Sequence, residues 1–139
     1  PLTIEELRRA NILPATLEDV LIKGFYPRLY AQPIDPDIWL QDYISTYIER
    51  DVRQLLKIGN ILSFQKFIAL CAARVGNLLN FTELARNADI SPNAAKAWFS
   101  ILEASYIVYQ LAPHYTNYSK RLIKTPKLYF YDTGLVCAL

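Results

Sequence analysis

The basic side chains between residues 91 and 127 are the strongest candidates for a binding function in this sequence. Five Lys or Arg lie there against one acid, Glu103, which gives this stretch a net charge of +4 in a chain that totals +2. Tyr and Asn side chains lie among them, and this mixture suits a phosphate backbone. The alternative that the pattern leaves open is a solvated hairpin whose charges keep it soluble or dock a neighbouring domain. The basic residues are Lys96, Lys120, Arg121, Lys124 and Lys127.

Residues 82–104 predict two short helices that cross at a tight turn. Ala85 provides the small side chain that a close crossing needs, and Asp89 can take the left-handed conformation of the turn. Ser91 and Pro92 are a favoured pair for the start of the second helix. The outward face of that helix carries Asn93 and Lys96, which could approach base edges, while the four later basic residues would contact phosphates.

Flanking patterns extend this pair of helices into a mainly α module. An apolar stripe predicts a helix over 64–75, with Ser63 as its N-cap. Strand-like runs at 107–111 and 127–131 predict a β-hairpin after the second helix. We therefore predict a winged helix-turn-helix over residues 61–131, with a three-helix core and a hairpin as its wing.

The preceding residues predict an N-terminal arm over 1–35 and one long helix over 36–60. In the arm, the Thr3–Glu6 spacing is typical of a capping box and predicts a helix over 4–10, and a second helix is plausible over 18–22. Residues 24–30 suggest a turn and an extended piece. Asp35 and Pro36 suit the start of the long helix.

Arg50 and Arg53 lie on that predicted long helix and have two interpretations. Glu49 precedes Arg53 by four residues, the favourable order for an ion pair along a helix, so an exposed salt-bridged face is one interpretation. The other is an arginine finger for a nucleotide site elsewhere.

Motifs for catalysis or metal binding are missing from the sequence. It contains no phosphate-binding GxxxxGK[ST] loop, no GxGxxG and no HExxH. His114 alone cannot build a metal site, and Cys71 and Cys137 are expected to be buried reduced thiols. We expect no catalytic residue, metal or cofactor in this chain. No apolar run is long enough to span a membrane, so we expect a cytoplasmic protein.

Several segments resemble a family of bacterial and archaeal AAA-type ATPases of uncharacterised role. The matching stretches are residues 24–30, 43–53, 80–85, 97–108 and 120–135. The resemblance implies that this chain is the region between a P-loop ATPase core and a C-terminal domain similar to restriction endonucleases. It implies that ATP and Mg²⁺ act in the parent protein, outside this chain.

The ends of the chain agree with that expectation of a longer parent. The chain begins at Pro1 without a methionine and ends in an apolar run, so residues 132–139 are expected to start a truncated further domain. The functional hypotheses are a module that binds DNA and a module that joins domains of the parent or subunits of a homo-oligomer. Exposed Tyr26, Tyr115 and Tyr118 would mark contacts in the second case.

Overall fold

The computed structural model describes residues 1–48, 61–114 and 124–139. The described part is mainly helical with one small two-stranded antiparallel sheet, which confirms the predicted mainly α fold class. Predictions about Arg50, Arg53, Lys120 and Arg121, and about Tyr115 and Tyr118, lie outside the described residues. The chain divides into two compact units, a terminal unit of 1–51 with 132–139 and a central unit of 52–131.

The terminal unit begins with three helices: α1 (Ile4–Arg9), α2 (Leu17–Lys23) and α3 (Arg28–Ala31). The capping box of α1 is confirmed, because Thr3 Oγ1 accepts from the Glu6 N–H and the Glu6 carboxylate accepts from the Thr3 N–H. The extended piece predicted within 24–30 is wrong. The chain instead turns directly into α3 after Gly24, with backbone bonds from Leu29 and Tyr30 to residues 26 and 27.

Helix α4 (Pro36–Tyr43) begins as predicted, with the Asp35 side chain accepting two backbone N–H groups. It does not continue as a regular α-helix, because a π-helical turn follows at Ile44–Ile48. The hydroxyls of Ser45 and Thr46 both donate to the carbonyl oxygen of Asp42. These bonds compete with the backbone bond that an α-helix would make to the same carbonyl.

A last helix, α8 (Thr133–Ala138), completes the terminal unit from the other end of the chain. It packs on α2 and α4, and Gln41 donates a hydrogen bond to the Ala138 carbonyl at 2.6 Å. No motif or spacing indicated that residues so far apart along the chain would form one unit.

The central unit contains α5 (Ile61–Ala72), α6 (Phe81–Ala88), α7 (Pro92–Ala104), β1 (Val108–Leu111) and β2 (Lys127–Phe130). The predicted N-cap at Ser63 is wrong, since Ser63 lies inside α5, and the predicted end at residue 75 is wrong, since α5 ends at Ala72. Turns from 73 lead to Gly76, whose N–H donates to the Leu128 carbonyl of β2 at 2.8 Å. This hydrogen bond to β2 therefore prevents α5 from continuing by another turn.

An aromatic core holds these elements of the central unit together. Trp98 of α7 makes edge-to-face contacts with Phe64 and Phe67 of α5, each at 5.6 Å between ring centroids. Such contacts add to the free energy gained by burying the rings. The hairpin closes the core from the side with the buried residues Val108, Leu128 and Phe130.

Candidate nucleic-acid interface

The turn between α6 and α7 has the geometry that the sequence predicted. Asp89 lies in the left-handed region at φ 56° and ψ 46°. The Ile90 N–H then donates to the Ala85 carbonyl at 3.0 Å, and Ala85 is only 1% exposed. A larger side chain at Ala85 would have to displace the core that α6 and α7 share.

Asp89, the acidic residue of this turn, forms an ion pair with a lysine from a third helix. Lys66 of α5 places its Nζ 3.2 Å from Oδ2 of Asp89. Both side chains are more than half exposed, so the pair contributes little stability in water. It does neutralise the carboxylate that stands next to the start of α7.

Helix α7 presents the two predicted base-contacting residues to solvent. Ser91 begins the helix by accepting the Ala94 N–H at 3.1 Å. Asn93 and Lys96 are exposed, while Ala95 and Trp98 point into the core. The outward face is therefore open to a ligand along the first two turns of α7.

The hairpin, which the sequence analysis predicted to be a wing, exposes two described basic residues. Lys127 is exposed and lies opposite Leu111 in the antiparallel register, and Lys124 is exposed just before β2. The structure thus exposes Asn93, Lys96, Lys124 and Lys127. The positions of Lys120 and Arg121 fall in the undescribed range 115–123.

The described cations of the central unit fall into a paired and an unpaired group. Arg74 pairs with Glu83 just as Lys66 pairs with Asp89. The remaining acid, Glu103, accepts hydrogen bonds from the Gln110 amide. Within the described ranges, no ion pair involves the remaining cations, which are Arg86, Lys96, Lys124 and Lys127.

Charge is distributed very unevenly between the two units. The central unit has ten Lys and Arg against three Asp and Glu, a net charge of +7. The terminal unit has five Lys and Arg against ten Asp and Glu, a net charge of −5. The total of +2 conceals this asymmetry, because the unit boundary cannot be read from the sequence.

The terminal unit contains a buried carboxylate that sequence reasoning did not select. Asp132 is 1% exposed, and its carboxylate accepts the N–H of Phe25 at 2.6 Å and that of Leu135 at 2.9 Å. Burial raises the pKa of Asp132, while these backbone bonds act in the opposite direction. The bond from Phe25 joins residues 107 positions apart, so Asp132 ties the two chain segments of the unit together.

Two glycines make that junction possible. Gly24 has φ 69° and ψ −156°, a conformation open essentially to glycine alone. A Cβ at Gly24 would lie 2.4 Å from Oδ1 of Asp132, and one at Gly134 would lie 2.9 Å from the Ile22 carbonyl oxygen. Gly24 and Gly134 lie in two of the segments that resemble the AAA-type ATPases, but nothing in the sequence indicated that they are in contact.

Tyr26 is not the exposed contact residue that the sequence suggested. Its ring packs at 5.1 Å from Trp39 and 5.0 Å from Tyr43, and it is half-buried. Burial is the main cause that raises the pKa of Tyr26, and the neighbouring Tyr43 raises it further. The ring is part of the packing of the terminal unit.

The two cysteines differ in exposure. Cys71 is buried as predicted, and burial raises the pKa of its thiol to about 12. Cys137 is exposed, contrary to the prediction, because α8 turns that side outward. Among residues 1–48, 61–114 and 124–139, no group of three or more His, Cys, Asp or Glu could hold a metal ion.

Residues 14–139 match the model of a family described as Domain of unknown function (DUF8612). The chain belongs to this family. It is also 33% identical over 102 residues to an uncharacterised protein of Mycobacterium bovis and, equally, to one of Mycobacterium tuberculosis. No solved structure matches the chain.

The match to the mycobacterial proteins covers 73% of this chain but 23% of each relative, so the chain spans about a quarter of their length. Most of each relative therefore lies outside the matched region. In the part of this chain that the structure describes, no helix is both long and apolar enough to cross a membrane.

Proposed function

We propose that the central unit is a winged helix-turn-helix that binds nucleic acid. The observation that carries the proposal is its net charge of +7 together with exposed cations on α7 and the hairpin that form no ion pair with any residue the structure describes. Positive charge concentrated on one unit is the electrostatic signature of phosphate binding. Helix α7 would enter a major groove, and the hairpin would follow the adjacent backbone.

The backbone around Asp89 supports the helix-turn-helix part of this proposal. Only three residues separate the short helix from the second helix: the left-handed Asp89, then Ile90, then the N-cap Ser91. Asn93 and Lys96 stand in the first two turns of that second helix, where recognition helices contact base edges. Asn can pair with adenine and Lys with guanine or a phosphate.

Duplex DNA binding at several salt concentrations tests the proposal. We expect affinity to fall steeply as salt rises, because bound phosphates release counterions. The double variant Lys124→Ala with Lys127→Ala should lower the slope of log affinity against log salt by about two. The matched control is Arg28→Ala, which removes an exposed cation from the terminal unit and should leave the slope unchanged.

A second variant separates base contacts from phosphate contacts. Asn93→Ala should weaken binding to a preferred sequence by roughly tenfold while leaving binding to random duplex unchanged. A chain that binds no duplex at low salt, or binds with no salt dependence, contradicts the proposal.

We further propose that the parent protein is an ATPase of the AAA type, as the sequence resemblance implies. The length of the relatives supports this, because about three quarters of each lies outside the match and leaves room for such a core. ATP and Mg²⁺ would then bind outside residues 1–139, and Arg50 or Arg53 could serve that site. The parent should hydrolyse ATP and this chain should not; turnover by residues 1–139 alone contradicts this assignment.

Exposed apolar side chains of the terminal unit favour a second function, the docking of other domains. Leu17 is 72% exposed and Ile38 is 64% exposed there, which is unusual for large apolar side chains. We propose that other domains of the parent cover them. Addition of the rest of the parent should protect the amides of α2 and α4 from hydrogen exchange, and unchanged exchange in both helices contradicts this proposal.

A further inference from the structure

The outer face of the β1–β2 hairpin carries a row of tyrosines. Tyr109 lies directly opposite Tyr129 in the register, and Leu111 lies opposite Lys127. Alternate residues of a strand point to opposite faces. Because Val108, Leu128 and Phe130 fill the core, the tyrosines and Lys127 share the face that is turned away from it.

The rings form a continuous chain of contacts, which we call the tyrosine face: Tyr106, Tyr131, Tyr109 and Tyr129. Ring centroids are 5.8 Å apart for Tyr106 and Tyr131 and 4.9 Å apart for Tyr131 and Tyr109. Tyr109 and Tyr129 stack at 5.6 Å with 20° between their planes. Tyr106 is 70% exposed and Tyr131 42% exposed, so two of the four rings are open to a ligand.

Tyr106 occupies a position where the fold itself favours glycine. It follows the C-cap of α7 at φ 56°. Its N–H donates to the Glu103 carbonyl and that of Ile107 donates to the Leu102 carbonyl, the pair of bonds that ends many helices at a glycine. A bulky residue there is strained, so the exposed ring is not explained by the needs of the helix end.

The charge around the tyrosine face indicates an anionic partner. Lys127 lies on this face beside Tyr129, and Lys124 precedes it by three residues. None of the described residues on this face is acidic, and the whole unit has a net charge of +7. Aromatic rings beside lysines bind unpaired bases, since a base in a duplex is already stacked on its neighbours.

We propose that the tyrosine face binds single-stranded nucleic acid, with unpaired bases stacked on Tyr106 and Tyr131 and a phosphate at Lys127. This inference rests on the proposed function and specifies its ligand as nucleic acid with an unpaired segment. Helix α7 holds the duplex in this arrangement, and the hairpin holds the strand that leaves it.

Fluorescence anisotropy with a labelled oligothymidylate and a blunt-ended duplex tests the inference on the full chain. Tyr106→Gly removes the ring and relieves the left-handed strain, so the protein should unfold at the same temperature or higher. Its affinity for oligothymidylate should fall about tenfold, with duplex affinity unchanged. Tyr106→Phe keeps the ring and should keep the affinity. Leu62→Ala, at an equally exposed apolar residue of α5, is the matched control.

A cross-linking experiment locates the bound strand independently. Oligothymidylate with one 5-iodouracil should cross-link on irradiation to peptides that contain Tyr106 or Tyr131, as mapped by mass spectrometry. Cross-links confined to other peptides overturn the inference.

The outcomes separate this inference from the proposed function. Duplex binding without oligothymidylate binding, or full oligothymidylate affinity in Tyr106→Gly, overturns the inference alone. Absence of binding to both ligands at low salt overturns both. A change in mass by light scattering for Tyr106→Gly, with unchanged oligothymidylate affinity, shows instead that the face joins copies of the chain and overturns the inference.

Discussion

The terminal and central units achieve stability in different ways. The terminal unit joins two distant chain segments around a buried carboxylate and two glycines in close contact. The central unit is one continuous segment with a core of aromatic rings. The first arrangement depends on backbone geometry at a few positions, whereas the second depends on side-chain volume spread over many residues.

The two units also differ in the charge they present to solvent. The central unit has a net charge of +7, and four of its described cations form no ion pair within the described ranges, while the terminal unit has a net charge of −5. The proposed phosphate binding is therefore assigned to the central unit, and the proposed docking of other domains is assigned to the terminal unit.

The largest effect is expected at the glycine junction. Gly24→Ala should destabilise the terminal unit by about 3 kcal/mol or more, because it adds a Cβ against Asp132 in a glycine-only conformation. Gly76→Ala is the control, with φ 80° but only Tyr129 Oη at 3.9 Å from the new Cβ, and should cost about 1 kcal/mol. Urea unfolding gives both values; equal losses would show that strain alone, not contact, matters at Gly24.

An intermediate effect is expected where α6 and α7 cross. Ala85→Leu should destabilise the central unit by about 2 kcal/mol, because the added carbons have no space in the shared core. Ala97→Leu on the exposed face of α7 should change the free energy of unfolding by about 0.5 kcal/mol or less. If Ala85→Leu is as harmless as Ala97→Leu, the helices do not approach closely at this point.

A smaller and pH-dependent effect is expected at Asp132. The raised pKa of Asp132 means that the folded unit favours the protonated acid. The stability that this protonation contributes is fully present below the ordinary pKa of 3.8 and is lost as pH rises through the raised pKa. The free energy of unfolding of the wild type minus that of Asp132→Asn should therefore increase as pH falls from about 7 to about 4. A difference that stays constant or decreases contradicts a raised pKa.

The smallest effect is expected at the left-handed turn residue of the central unit. Asp89→Gly removes the strain at φ 56° but also an exposed ion pair with Lys66, so stability should rise by about 0.5 kcal/mol or less. Asp89→Ala should destabilise by about 1 kcal/mol, because alanine lacks the tolerance of this conformation. Thermal unfolding distinguishes them, and equal midpoints would show that the turn relaxes after substitution.

Local signals in the sequence were sufficient for the elements with strong caps. Thr3, Asp35 and Ser91 begin helices as predicted, because a side-chain acceptor three residues from a free N–H acts within one turn. The turn at Asp89 and the exposure of Asn93 and Lys96 also followed from residue type and period. The end of α5 did not, since Gly76 is bonded to a strand more than fifty residues later.

Short-range signals were thus enough to predict the caps, the left-handed turn, the apolar faces of α6 and α7, and a local excess of positive charge. Folding was needed to bring Asp132 and Gly134 against Gly24, to assemble four tyrosines into one face, and to separate the charges into +7 and −5. These two groups of features differ in the range of the interactions that produce them. Capping and periodicity act within a few residues, while burial, ring contacts and charge clustering depend on which distant segments the folded chain brings together.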